Sequence, residues 1–195
     1  MTRPFPQSKK ILGAASVEFA LIALFIFLPL LFGMIEMGRV MYLWNTAQEI
    51  TRRAARAAVV TDFTNAAAMT TIRQNAIFRS DSGSLPAGME ITDSSVVINY
   101  LSLSQQVIDP TTTCPAKNIS NCIQDPTSSS CIRFVEVSLC QPGTGQTNAC
   151  SPIIYSPLGT FFSILKKLNI SLPIPASSVV MPAESLGYRP NATPC

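Results

Sequence analysis

The stretch Lys9–Arg39, KKILGAASVEFALIALFIFLPLLFGMIEMGR, decides the fold of this chain. No charged residue occurs from Phe19 to Ile35, and the residues just ahead of Glu18 are also apolar or small, so the segment reaches the roughly 20 residues with which a helix spans a bilayer. Glu18 is the carboxylate that interrupts it. A charge near the hydrocarbon costs about 2.5–3.5 kcal/mol on insertion scales, which predicts a partner and a functional role for Glu18.

The cysteines all lie in the second half of the chain, in sequence rich in proline, serine and threonine. This distribution predicts disulfides formed in an oxidising compartment. A zinc site would need close cysteine pairs or histidines, but the chain has no histidine and its cysteines are at least eight residues apart, so we expect no bound metal. The disulfide candidates are Cys114, Cys122, Cys131, Cys140, Cys150 and Cys195.

The connectivity of six cysteines stays open at this point, because many pairings are possible. Cys131 and Cys140 lie an odd number of residues apart on one predicted strand and would point to opposite faces, so we expect no bond between them. A bond between Cys140 and Cys150, closing the glycine-containing loop QPGTGQTNA, is favoured.

The charged residues are unevenly distributed along the chain. The net charge is +3, but residues 1–80 hold nine basic and four acidic side chains, whereas the remainder holds five and seven. The basic excess belongs to the helical part, where it suits anionic lipid head groups. Nucleic acid is excluded as a partner, because binding would need a basic patch on the globular part.

The orientation in the membrane follows from the cysteines rather than from the cations, which are balanced on the two sides of the apolar stretch. We expect the amino terminus in the cytoplasm and the remainder exported. A cleaved secretory signal peptide is the simpler alternative, but Glu18 breaks the apolar run and the run is too long for one.

Beyond the apolar stretch, hydrophobic residues continue to recur at alternating steps of three and four, which predicts that the helix runs on to about Val60. From Ala14, such a helix would be about 70 Å long. Pro29 removes one hydrogen bond from it, and the position of any kink is left open. The buried stripe is predicted at Val40, Leu43, Ala47, Ile50, Ala54 and Ala57.

Further along, a second helix is predicted over Phe63–Phe78 with its N-cap at Thr61 or Asp62, followed by a small antiparallel sheet. Ser104–Ser130 is predicted as a long loop held by cysteines, and Pro157–Leu168 as a short amphipathic helix that covers the sheet. The strands are predicted at Ser95–Leu103, Cys131–Cys140 and Ser177–Met181, with a short edge at Met89–Thr92.

The sequence thus predicts an α+β fold: a long N-terminal transmembrane helix that continues into an exported helix packed on a small antiparallel sheet, with disulfide-stapled loops. The expected divisions are a leader at 1–13, the transmembrane helix at 14–38, a helical stem with the second helix at 39–80, and a β-containing domain at 81–195.

Catalytic chemistry is poorly represented in this sequence. The lack of histidine removes the usual general base and the usual metal ligand. Ser163 and Lys166 match the S-x-x-K pattern, but its companion motifs are missing, so we read the match as chance. We therefore expect a non-enzymatic protein without a cofactor.

The junction around Gly13 resembles that of type IV pilin-like precursors, which have a short basic leader, a glycine, and a hydrophobic helix with glutamate at its fifth residue. The segments Gly33–Arg39 and Arg52–Ala58, and more weakly the tail Ser177–Tyr188, resemble TadE-like proteins, the pseudopilins of tight-adherence (Flp) pilus systems. The resemblance implies cleavage between Gly13 and Ala14 by a prepilin peptidase.

The same resemblance implies a non-enzymatic role in pilus assembly at the bacterial inner membrane, with the lipid bilayer, pilin or pseudopilin helices and the assembly platform as partners. Glu18 would fix the axial register between helices by meeting the amine of Ala14, either its own or that of an adjacent subunit. The alternative is a membrane-anchored, disulfide-stapled binding domain outside any pilus, which would need neither cleavage nor Glu18.

Overall fold

The computed structural model describes residues 14–145, 149–158 and 172–190. The predicted leader, Cys195 and all but the first two residues of the predicted helix Pro157–Leu168 lie outside the described residues.

A helical rod forms the first part of the described chain. It consists of α1 (Ala14–Ile22), a π-helical turn (Ala23–Phe27) and α2 (Leu28–Ala58). In the π turn the N–H of Leu28 donates to the carbonyl of Ala23, five residues back. Pro29, which has no N–H of its own, follows directly, so the wider turn lies where a proline would otherwise disturb the regular α-helical pattern.

The rod has two chemically different halves. From Val17 to Met37 its large apolar side chains are exposed. In the part of the chain that the structure describes, this is the one helix long and apolar enough to cross a membrane. Helix α2 passes the predicted boundary at residue 38 without a break, so the division between membrane span and stem stays a prediction.

The second half of α2 packs into the core through a narrow stripe. Leu43, Ala47, Ile50 and Ala54 are buried as the sequence predicts. In the last turn Ala55 and Ala58 are buried, and Ala57 is only half-buried. The stripe drifts because an α-helix has 3.6 residues per turn, whereas the predicted repeat has 3.5.

The main sheet has four antiparallel strands in the order β4-β3-β5-β6. Helix α2 packs against β5 and β6 and reaches β3. The last strand meets the helix near Ser177, whose side-chain hydroxyl oxygen lies 2.9 Å from that of Thr51. The strands are β3 (Val96–Leu101), β4 (Val107–Ile108), β5 (Phe134–Leu139) and β6 (Ser178–Pro182).

The predicted edge at Met89–Thr92 does not belong to the main sheet. It forms β2 (Gly88–Thr92), which pairs with β1 (Ser84–Leu85) in a separate hairpin. Gly88 packs directly on the helix, since a Cβ at this position would lie 2.5 Å from Cδ2 of Leu43. The strand itself was predicted correctly, but its place at the edge of the main sheet was wrong, because a short strand does not reveal its partner.

Two helices also differ from their predictions. Helix α3 covers Ala66–Ala76, and its N-cap is Asn65, whose side chain accepts from the N–H of Ala68. Asp62 instead accepts from the N–H and hydroxyl of Thr64 in a local turn. The predicted loop Ser104–Ser130 contains β4 and a helix, α4 (Pro115–Gln124), which begins with a proline in its first turn.

The disulfides hold loops to the ends of β5. Cys122 on α4 bonds Cys131, and Cys140 bonds Cys150, which is the pairing favoured from the sequence. Cys131 and Cys140 are not bonded to each other, as expected from their positions. Cys114 is disulfide-bonded as well. Together with the long apolar helix and the antiparallel sheet, these bonds confirm the predicted α+β fold class.

Candidate functional site

Arg39 on α2 is the centre of a charged cluster at the end of the exposed apolar helix. Its Nη2 donates to both carboxylate oxygens of Glu90 on β2, at 2.7 and 2.8 Å. Its Nε donates to the carbonyl of Ala87 at 3.0 Å, and Nη1 to the carbonyl of Ser156 at 2.8 Å. The guanidinium thus joins the helix to the β1–β2 hairpin and to the loop at residue 156.

Glu36, one turn before Arg39, makes a second set of contacts with the same loop. Its carboxylate accepts from the hydroxyl of Tyr155 and from the N–H of Leu158, the latter at 2.9 Å. It also lies 3.9 Å from Nη1 of Arg39, so the i,i+3 pair predicted from the sequence is present. The Tyr155 ring lies under the Arg39 guanidinium, 4.9 Å from its centroid.

Burial controls the ionisation of this tyrosine. Removal from water and the hydrogen bond to Glu36 raise the pKa of Tyr155 to about 12. Tyr155 therefore stays a neutral donor at physiological pH. Its proton is needed, because the carboxylate of Glu36 would otherwise face a phenolate.

The cluster is shielded from solvent. The side chains of Arg39 and Glu90 are 7% and 5% exposed, and that of Glu36 is 13% exposed. Desolvating charges is expensive, and the cost is offset only when each group is paired and hydrogen-bonded. Here the N–H of Ser156 also donates to Glu90, at 3.0 Å, so both carboxylates have several donors.

Glu18 is in a different environment. It lies on the exposed surface of α1, and in the part of the chain that the structure describes its carboxylate makes no ion pair. Gly13, the predicted cleavage position, lies outside the described residues, whereas Ala14 begins the helix. The structure therefore does not bring Glu18 together with the Glu36–Arg39 cluster.

Sequence reasoning found two members of the cluster and missed the others. Glu36 and Arg39 were predicted to pair because they are one turn apart. Glu90 and Tyr155 could not be assigned to them, since they lie 51 and 119 residues away from their respective partners in sequence. The available signal was an isolated acidic residue in the short apolar strand β2.

The described residues offer little for catalysis. No group of three or more potential metal ligands occurs among them. The S-x-x-K motif at residues 163–166 lies outside them. The cluster around Arg39 has its charges paired and buried, an arrangement that fixes geometry rather than one that activates a nucleophile.

A shallow apolar groove of about 450 Å³ lies elsewhere, between α4 and the paired ends of β5 and β6. Ile119 and Ile123 of α4 line it together with Phe134 and Pro182, and Ile123 is 77% exposed. The Cys122–Cys131 disulfide fixes α4 at this position.

Comparison with known proteins identifies the helix but not the sheet-bearing part. The model of the TadE-like protein family matches residues 13–56, which is 44 of the 195 residues. The match covers the helical rod and both helical motifs that suggested the family from the sequence, as far as residue 56. Residues 57 and 58, which end both the rod and the second motif, lie just outside it. Neither a curated protein nor a solved structure matches the chain. The tail Ser177–Tyr188 lies outside the matched residues, so its resemblance stays a prediction.

Proposed function

We propose that this chain is a non-enzymatic, membrane-anchored pseudopilin that takes part in the assembly of a tight-adherence pilus. The TadE-like match at residues 13–56 is the observation that carries the proposal, since it associates the chain with these pili. The matched segment begins at Gly13, the residue after which a prepilin peptidase would cut, and includes Glu18.

The helix supports a role in assembly through its surface. The apolar side chains from Val17 to Met37 have no cover within the described chain, so bilayer lipids and other apolar helices are their natural surroundings. Glu18 lies on this surface without an ion pair among the described residues. A carboxylate there would be poorly hydrated unless a cation of a neighbouring helix meets it.

The proposed topology places the amino terminus in the cytoplasm and the disulfide-bonded part outside the bacterial inner membrane. Disulfides form in oxidising compartments, and Cys122, Cys131, Cys140 and Cys150 are all bonded. The partners would be the prepilin peptidase, pilin or pseudopilin helices, and the assembly platform.

Processing at Gly13 tests the proposal directly. The chain is co-expressed with the matching prepilin peptidase, and the intact mass of the purified protein is measured. We expect loss of residues 1–13, with Ala14 as the new amino terminus. Gly13→Leu should retain the full length.

Gly38→Leu is the matched control, because a Cβ at Gly38 would meet no atom within 4 Å and the position lies away from the junction. We expect normal cleavage of this variant. A parent chain that still starts at Met1, or a Gly13→Leu chain cut at the same bond, would contradict the proposal.

The second candidate is a membrane-anchored binding domain outside any pilus, and the apolar groove beside α4 favours it. Such an anchor has no need of cleavage or of Glu18. The mass measurement therefore also separates the two functions.

A further inference from the structure

The underside of the sheet-bearing part is the surface nearest to the apolar half of the rod. It lies level with the end of that half. The N–H of Leu158 donates to the carboxylate of Glu36, which follows directly on the uncharged stretch that ends at Ile35. Helical side chains tilt toward the amino terminus, so a group bonded to Glu36 lies no higher than that residue. Leu158 thus reaches the level at which the apolar half of the rod ends.

Exposed apolar side chains occur at this level on both segments that hold Arg39. Leu158 in the loop is 63% exposed, and Met89 in β2 is 71% exposed. Met89 lies between Gly88, which packs on Leu43, and Glu90, which bonds Arg39. Measured along the helix axis, Met89 therefore lies between Arg39 and Leu43, farther from the amino terminus than Leu158.

The length of a membrane span determines which part of the bilayer surrounds Leu158 and Met89. About 20 residues cross the hydrocarbon, so a span that starts near Ala15 ends near Met34 or Ile35. Leu158 then lies at the edge of the hydrocarbon. Met89, which is about 5–10 Å higher at 1.5 Å per residue, lies in the head-group layer.

We propose that this underside, defined by Leu158 and Met89 around Arg39, is a membrane-docking surface that lies against the lipid interface. The inference rests on the membrane anchoring in the proposed function. The lipid interface is the occupant because the surface is continuous with the exposed helix, and because the rod itself holds it at the height of the bilayer boundary. The charges of Glu36 and Arg39 are then covered by protein on the side that faces the sheet.

Depth-dependent quenching of tryptophan fluorescence tests this surface in the full chain. The native Trp44 is replaced by Phe, and single tryptophans are introduced as Leu158→Trp and Met89→Trp. The protein is placed in nanodiscs made with lipids brominated near the head-group end of the acyl chain, or near its methyl end for Phe25→Trp, and in discs of the same lipids without bromine. Both positions are exposed, so the substitutions should leave the fold intact, as near-ultraviolet circular dichroism can verify.

Two further variants serve as references. Phe25→Trp lies in the middle of the exposed apolar helix and reports insertion itself. Ile123→Trp is as exposed as Met89 but lies on α4, near the end of the sheet at which Ala183 bonds Arg133 and Leu186 bonds Val59. Val59 is 23 residues above Glu36, or about 35 Å along the helix.

We expect loss of emission in brominated discs for Leu158→Trp, a smaller loss for Met89→Trp, and none for Ile123→Trp. If Phe25→Trp is quenched while Leu158→Trp behaves like Ile123→Trp, the docking surface is refuted although the anchor stands, and the underside faces a protein partner. If Phe25→Trp is not quenched either, both the membrane anchor and the docking surface are wrong.

Discussion

Arg39 joins helix α2 to the β1–β2 hairpin and to the loop at residue 156 with one side chain. Replacing it by leucine leaves the carboxylate of Glu90 buried without the cation that it pairs with, and removes one of the charges that meet Glu36. Breaking a buried ion pair from one side typically costs about 3–5 kcal/mol. We expect Arg39→Leu to lower the free energy of unfolding by an amount in this range.

The measurement is guanidinium unfolding of the detergent-solubilised chain, followed by the fluorescence of Trp44, which lies beside residues 175–179 where the last strand meets the helix. Arg52→Leu is the matched control, since Arg52 is exposed on the same helix and should change stability by less than about 0.5 kcal/mol. Equal effects of the two substitutions would show that the Arg39 cluster does not stabilise the fold.

Glu18 acts, in our proposal, on assembly rather than on stability. Glu18→Gln keeps the shape of the side chain and removes its charge, so the variant should insert into the membrane at least as well as the parent. It should nevertheless fail to support piliation, because no ion pair would fix the register of the helix. Surface pili are counted by electron microscopy, with protein levels measured by immunoblot.

Glu49→Gln provides the matched control for Glu18, because it makes the same chemical change at an exposed site of the same rod, beyond the apolar half. We expect normal piliation from it. Normal piliation by Glu18→Gln at normal protein levels would reduce Glu18 to a tolerated interfacial charge.

Among the elements, the turn after β6 packs closely against the end of the helix. The N–H of Leu186 donates to the carbonyl of Val59 at the end of α2. Gly187 follows with φ +77°, and a Cβ there would lie 2.3 Å from the backbone nitrogen of Asp62. The left-handed conformation disfavours any residue other than glycine, and the close backbone leaves no room for a side chain.

Gly187→Ala should therefore destabilise the protein by roughly 3–4 kcal/mol or more, in the range that marks severe strain. Gly143→Ala isolates the conformational part, because Gly143 has φ +84° but open space around it, and should cost about 1 kcal/mol. Thermal unfolding of both variants checks the difference. If the two variants have the same melting temperature, the close approach of residue 187 to Asp62 does not add to the loss of stability.

Elements with a long or strong pattern could be predicted from the sequence, and short ones could not. The long helix and the strands β3, β5 and β6 carry clear periodicity or β-branched runs, and all are found within a few residues of their predicted bounds. Helix α4 was missed because its ten residues include Asn118, Ser120 and Asn121, which favour caps and turns over the interior of a helix.

The candidate site was predictable only where its members are neighbours along the chain. The pair Glu36 and Arg39 follows from helical spacing, but Glu90 and Tyr155 join it through contacts that depend on the tertiary fold. The pairing of Cys140 with Cys150 was favoured from the sequence because the loop between them contains glycines and can turn back. The pairing of Cys122 with Cys131 could be predicted only with knowledge of α4, because this helix carries Cys122.

At the scale of the whole molecule, the disulfides should decide whether the sheet-bearing part survives proteolysis. Disulfides that close loops of this size typically contribute about 2–4 kcal/mol each, comparable with the stability of a small domain. We expect few or no free thiols in the purified chain under non-reducing denaturation, and loss of protease resistance on reduction. Ellman titration and limited proteolysis measure both.

Double replacement of each bonded pair by serine separates the two contributions. Cys122→Ser with Cys131→Ser should free α4, whereas Cys140→Ser with Cys150→Ser should free the loop after β5. Protease resistance unchanged by reduction would contradict a structural role for the bonds. A count in which all cysteines are free would also overturn the exported topology.

The contact between Thr51 and Ser177 joins residues 126 positions apart, and this separation determines when the contact can form during synthesis of the chain. At about 5–20 residues per second, the ribosome completes β6 roughly 6–25 s after the part of the helix that β6 covers. Throughout that interval β6 is missing from the sheet that packs against the helix. A nascent chain that stops before Ser178 cannot close its core, so such fragments should be substrates for chaperones and quality-control proteases.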